Sequence, residues 1–287
     1  MTADDHRHTS HLRDIGRWIC KEVDEPRKAR IHSIGLLTGL RERSGVFTTP
    51  NFERGLILDR LCEILRPSAV LELGTGRGLG ALTMATAADV YAYHSRVTTI
   101  DMIPIGSPQK YAIEENGERK VVSLSVDEAW RRHASAVRDR VTFLTGATTR
   151  LLPDLLRSER RFDLIFIDAG HDPFDVIHDL AYSAMLLTPQ GVILMDDFAP
   201  REPVGLGTVV AYTHAKRLFE EAHVFDSEGV VFGKVDPLQP PRGMVLLSKP
   251  RGLLKFAPGR LGLWRILDWF LAASVSKRVF PLRLHGD

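Results

Sequence analysis

The sequence predicts an open, mostly parallel α/β sheet, and three observations carry that expectation. Five short apolar runs, at Ala69–Leu73, Val97–Ile100, Val141–Leu144, Leu164–Ile167 and Val192–Met195, are bounded by turn residues and are mostly rich in β-branched side chains. Helical patterns separate them, notably at Gly80–Ala88, Val126–Val137, Thr149–Arg157 and Phe174–Leu187. A glycine-rich turn, Gly74-Thr75-Gly76-Arg77-Gly78, follows the first run directly. Strands buried on both faces read as continuous apolar runs, and parallel neighbours need crossover helices. The alternation is therefore a βαβ series.

The chain has the material for such a core: 287 residues, 44% hydrophobic and 26% charged. Residues 1–10 read as a polar end; His6, His8 and His11 could together bind a metal, and are expected instead to be solvated. The opening Met1–His6 has no apolar region of a secretory signal, and no run reaches the length of a membrane span. Residues 11–45 read as broken helix, so residues 1–45 form an N-terminal helical cap. Asn51 is the expected N-cap of a helix whose Leu58, Leu61 and Leu65 share a face. The main domain runs from 46 to 250. Inside it, residues 103–125 are polar where a short connection would serve, and read as an insertion or flexible loop. A helix near Thr208–Ala222 leads to apolar runs at His223–Phe232 and Met244–Ser248. Their connection, through Pro237–Gly243, is too short and Pro-rich for a crossover helix, so the two are expected as antiparallel strands ending the sheet.

Residues 251–287 form a basic C-terminal extension with seven Lys/Arg against two Asp. Leu263, Ile266, Leu267, Phe270 and Leu271 share a helical face there. Burial of that face on the domain or on a second copy is expected ahead of contact with a membrane surface. The net charge of +2, without basic runs interleaved with aromatics, gives no reason to expect a nucleic-acid partner. Cys20 and Cys62 lie in helix-like stretches and read as two reduced thiols, which fits a cytoplasmic protein.

Ligands of open parallel sheets bind beyond the carboxyl ends of the strands. Glycines there let the backbone turn sharply and approach a ligand. The glycines alone fit three readings: a dinucleotide site, an S-adenosylmethionine site or a bare turn. Asp101 ends the second apolar run, where an acid accepts hydrogen bonds from ribose hydroxyls, common to both cofactors. Glu72, just before Gly74, discriminates. A pyrophosphate gains nothing from a nearby carboxylate, whereas S-adenosylmethionine carries an ammonium and a sulfonium. Its carboxylate would suit the amides at the helix start after Gly78.

Glu72-x-Gly74-x-Gly76-x-Gly78 with Asp101 resembles motifs I and II of the class I S-adenosylmethionine-dependent methyltransferases, over roughly residues 45–250. The resemblance implies a Rossmann-like three-layer sandwich with a seven-stranded sheet and an antiparallel last strand. It assigns Glu72, Gly74, Thr75, Gly76, Gly78, Asp101 and Asp168 to the cofactor, and the loop at Gly146 and Ala147 to the adenine.

Two later runs also end in acids: Ile167-Asp168-Ala169-Gly170-His171 and Met195-Asp196-Asp197-Phe198. Three carboxylates at one edge repel one another and call for a cation, and hard oxygen ligands suit Mg²⁺ or another divalent ion. Each residue also has a plainer role, as a turn cap or a hydrogen-bonded loop histidine. This segment resembles the catechol O-methyltransferase-like branch, methyltransferase family 24, which includes natural-product and sugar O-methyltransferases. There the acids matching Asp168, Asp196 and Asp197 hold a metal, and the residue in the place of His171 is the general base. Histidine and Asp-Asp point to its sugar and macrolide members. Gln190, where a second glycine is usual, alters a turn. His178, Asp172 and Asp175 are expected to be structural. The expected protein is a metal-dependent O-methyltransferase acting on a small-molecule hydroxyl, with a homo-oligomer possible. The rivals are a metal-free methyltransferase, a nicotinamide-dependent dehydrogenase and a non-catalytic binding protein.

Overall fold

A computed structural model describes residues 23–39, 41–43, 46–48, 52–115, 118–200, 202–226 and 243–250. The expectations for His6, His8, His11, Cys20, Asn51 and the C-terminal extension fall outside these residues.

The described chain opens with α1 (Glu25–Gly39) and a short antiparallel hairpin of β1 (Arg41–Arg43) with β2 (Val46–Thr48). The main sheet is built from β3 (Ala69–Leu73), β4 (Arg96–Asp101), β7 (Val141–Thr145), β8 (Phe162–Ile167), β9 (Leu187–Phe198), β10 (Phe219–Asp226) and β11 (Gly243–Pro250). Their order across the sheet is β10-β11-β9-β8-β3-β4-β7. β7, β4, β3, β8 and β9 run parallel, and β11 lies antiparallel between β9 and β10. The antiparallel ending anticipated from the Pro-rich connection is therefore present. β10 begins at Phe219, inside the stretch predicted as helix, because Phe219 pairs with Pro250 and turns the chain into the sheet.

Helices cover both faces. On one side pack α2 (Glu53–Leu65), α3 (Leu79–Val90), α4 (Val126–His133) and α5 (Ser135–Arg138), around Leu58, Leu61, Val70, Met84 and Trp130. On the other pack α6 (Thr148–Arg157), α7 (Pro173–Leu186) and α8 (Leu206–Leu218), around Leu71, Ile165, Leu180, Ile193 and Ala211. The alternation of inward side chains along β3 explains the split: Val70 joins the first layer, Leu71 and Leu73 the second. α1 docks through a charged cluster. Arg27 lies 3.1 Å from the buried Asp59 and 2.8 Å from Glu63, and Arg30 lies 2.8 Å from Asp59. Among the described residues no helix is long and apolar enough to cross a membrane. Cys62 is free and buried, and burial pushes its thiol up to about 12.

The stretch 103–125 is an insertion and not a flexible loop. Its bulk is an antiparallel hairpin of β5 (Pro108–Glu115) and β6 (Glu118–Ser125). Polar composition hid the alternation that buries Tyr111 and Leu124 against the first helical layer. Ser125 then caps α4 in a reciprocal capping box with Glu128.

Candidate active site

The glycine turn is set by sterics. Gly74 has φ +91°, and a Cβ there would meet the Asp168 carbonyl oxygen at 1.9 Å. Gly78 has φ +98°, and its Cβ would meet the Trp130 ring at 2.1 Å. Only glycine combines that backbone with such close neighbours. The Gly74 and Thr75 amides donate to the Ile100 carbonyl at 2.9 and 3.2 Å, so the turn hangs on the end of β4. The hairpin braces it from outside: the Arg77 guanidinium stacks 4.6 Å from the Tyr111 ring and donates to the Lys110 carbonyl.

Glu72 is 1% exposed and sits beneath this turn. The Thr99 hydroxyl donates to its Oε2 at 2.5 Å, and Thr75 and Thr99 share a further hydrogen bond. Burial, against the pull of the Thr99 hydroxyl and the Ala81 amide, pushes its carboxyl up to about 8. Glu72 thus spends its hydrogen bonds inside the turn and supports the shape of the loop. Asp101 lies at the edge. Its Oδ2 accepts from the Gly76 amide at 2.8 Å and its Oδ1 from the Ile103 amide at 2.9 Å. Each oxygen keeps a further lone pair. Gly146 donates its amide to the Asp101 carbonyl at 2.8 Å, and Ala147 is the N-cap of α6, which brings that loop beside Asp101.

The second half of the edge holds the charges. β8 and β9 are neighbours, so Asp168, Asp196 and Asp197 come to the same end of the sheet. Between the first two lies a residue that no sequence pattern singled out. Arg54, in the first turn of α2, places Nη1 2.6 Å from Asp168 Oδ2 and 2.9 Å from Asp196 Oδ2. Burial, opposed by Arg54 and reinforced by Asp196 and Asp197, pushes the Asp168 carboxyl well above the usual carboxylate range. Asp197 faces elsewhere: its Oδ2 is 3.4 Å from His171 Nδ1, and its backbone has φ +59°. His171 is 45% exposed, and its carbonyl packs against Gly207 at the start of α8. Asp172 caps α7, accepting from the Phe174 amide at 2.9 Å, and His178 pairs with Asp179 along that helix, both as expected of structural residues.

The divalent ion expected at Asp168, Asp196 and Asp197 does not fit this arrangement. A guanidinium nitrogen already bridges Asp168 and Asp196, and Asp197 is turned to His171. Among the described residues no three His, Cys, Asp or Glu side chains come together as a ligand set. A signal for Arg54 did exist in the sequence. The N-terminus of a helix disfavours a cation, so an arginine in that first turn needs acids from outside the helix.

Residues 71–198 match the model of methyltransferase family 24, a methyltransferase domain. The O-methyltransferase hkm8 of Aspergillus hancockii is 29% identical over 187 residues, 65% of this chain and 64% of its own length. The chain thus aligns with somewhat less than two thirds of that relative. The O-methyltransferase TomG of Streptomyces achromogenes, solved with SAM, superposes with a TM-score of 0.53 at 19% identity, covering 87% of this chain and 100% of that one. An O-methyltransferase from Bacillus cereus, solved with SAH, superposes with a TM-score of 0.51 at 16% identity, covering 82% and 97%. Sheet order, glycine turn and matched region define a class I S-adenosylmethionine-dependent methyltransferase domain. Within that class, residues 71–198, somewhat less than half of the chain, are similar to methyltransferase family 24.

Proposed function

We propose that this protein moves the methyl group of S-adenosylmethionine to a hydroxyl of a small molecule, of the sugar, polyketide or phenolic kind. The observation that carries this reading is His171, held at 3.4 Å by Asp197 on the same sheet edge as the glycine turn. Asp101 and the Gly146–Ala147 loop receive the ribose and adenine, and the glycine turn lies toward the methionine part. With Nδ1 engaged by Asp197, His171 takes the acceptor proton on Nε2. The acceptor oxygen attacks the sulfonium methyl in line, its C–S bond breaks, and S-adenosylhomocysteine leaves with both sulfur electrons. The proton on His171 passes to solvent. The enzyme contributes alignment and a positioned base. A cytoplasmic setting is part of this reading, supported by the buried free thiol of Cys62.

Metal assistance, which the acids ending β8 and β9 first suggested, requires Arg54 to vacate its place between Asp168 and Asp196, and no step above runs through an ion. The test uses methyl-labelled S-adenosylmethionine with a panel of hydroxylated acceptors. Label should reach the acceptor oxygen. His171→Ala should bind S-adenosylhomocysteine as the parent does and lose about a hundredfold in rate, the scale of a positioned base. That loss should shrink at high pH, where the acceptor ionises unaided. Melting raised by NAD(P) and not by S-adenosylhomocysteine would sink the methyltransferase reading.

A further inference from the structure

Asp168 and Asp196 end adjacent strands, and the Asp196 side chain is 1% exposed. Two carboxylates so placed need a positive charge between them. Arg54 supplies it with one nitrogen within 3 Å of both. A bridging metal ion would have to take that same position. We propose that Arg54 is the resident cation of this site: it stands where the family resemblance implies a divalent ion, and it holds the acid pair together without one. The inference deepens the methyl-transfer reading only in naming what the site serves, and its evidence is independent of that reading.

Three physical points support it. A guanidinium keeps its charge at any pH a protein survives, so the pair stays compensated throughout. Arg54 is tethered by the helix that carries it, so an ion from solution competes with a partner of high local concentration. The third carboxylate of the expected ligand set, Asp197, is turned to His171 instead. Arg54 touches no reacting atom in this scheme. It is a positioning residue, fixing Asp168, just beyond β8, to Asp196 near the end of β9, next to Asp197.

The test is Mn²⁺ binding by the full chain, read from the loss of the free-ion EPR signal, with S-adenosylhomocysteine binding followed on the same samples. The parent protein should bind no stoichiometric Mn²⁺, and its melting temperature should not respond to the ion. Arg54→Ala exposes the acid pair and should gain Mn²⁺ affinity by at least about tenfold, the scale of one charged hydrogen-bonded pair, and should melt higher with the ion present. Arg54→Lys keeps a cation in place and should behave as the parent. One Mn²⁺ per chain bound by the parent overturns the proposal. So does a folded Arg54→Ala that gains none. If Arg54→Ala does not fold, the parent and Arg54→Lys titrations decide the matter alone. Failure of S-adenosylhomocysteine to bind the parent would sink the methyl-transfer reading and leave the role of Arg54 standing.

Discussion

The two halves of the carboxyl edge are built by different physics. At the ends of β3 and β4 the site is backbone: glycines at positive φ, amides aimed at Ile100 and Asp101, and a buried carboxyl under the turn. At the ends of β8 and β9 it is side-chain charge: Arg54 between two aspartates, and His171 against a third. The first half is close-packed, so a single methyl group disrupts it. The second is held by ion pairs, whose partners are exchangeable in kind. The comparison teaches that shape and charge at one edge are separable, and substitutions can address each.

The largest effect is expected from Gly74→Ala. The new Cβ would lie 1.9 Å from the Asp168 carbonyl oxygen, and backbone has nowhere to go. Added to the positive φ, this should cost more than about 4 kcal/mol, the range reserved for severe steric and backbone conflicts. Denaturant melts of the parent and variant measure it. A loss near 1 kcal/mol would mean that the two halves are less tightly packed than the geometry states.

Glu72→Gln sharpens the comparison next, because Glu72 is the one ionisable group wholly inside the packed half. Its carboxyl titrates at about 8 in the fold against an ordinary value of 4.5. The folded state therefore holds a proton that the unfolded chain releases. This contribution is fully present below about pH 4.5 and drains away as pH rises to about 8. It amounts to a few kcal/mol, since each tenfold difference in proton affinity between folded and unfolded chain is worth about 1.4 kcal/mol. Glu72→Gln has no proton to release. Its melting temperature should fall less steeply than the parent's between pH 5 and 8, and equal slopes would refute the buried, proton-holding Glu72.

The same division decided how much of the molecule was legible in sequence. Gly74, Gly76, Gly78 and Asp101 stand close along the chain, so turn chemistry and one strand period placed them together. Asp168, Asp196, Asp197 and His171 were also grouped correctly at one end of the sheet, because strand ends in a parallel sheet align. What joins them was hidden, since Arg54 is 114 residues from Asp168 and only the docking of α2 brings it in. The demand for a cation was readable, and its identity was not. The hairpin over 103–125 was missed for a related reason: its alternation is diluted by lysine and glutamate, and its burial depends on Trp130 and the glycine turn rather than on its own composition.

Asp101→Ala is expected to have the smallest effect of the three, and it tests whether the edge residue of the packed half binds ligand or only shapes the loop. Asp101 accepts two backbone amides, from Gly76 and Ile103. Each such bond to a charged acceptor contributes to stability whether or not cofactor is present. If shaping were its whole task, the variant would lose stability and bind S-adenosylhomocysteine in proportion to the fraction still folded. If ribose hydroxyls also use its remaining lone pairs, binding should weaken by a further 1.5–3 kcal/mol, roughly tenfold to a hundredfold. Calorimetry at a temperature where the variant is fully folded separates the two. Truncated ligands make the distinction finer: methionine alone should bind parent and variant equally, while adenosine should discriminate between them. Equal adenosine affinity in both proteins would reduce Asp101 to a loop anchor and shift ribose recognition to another residue of the turn.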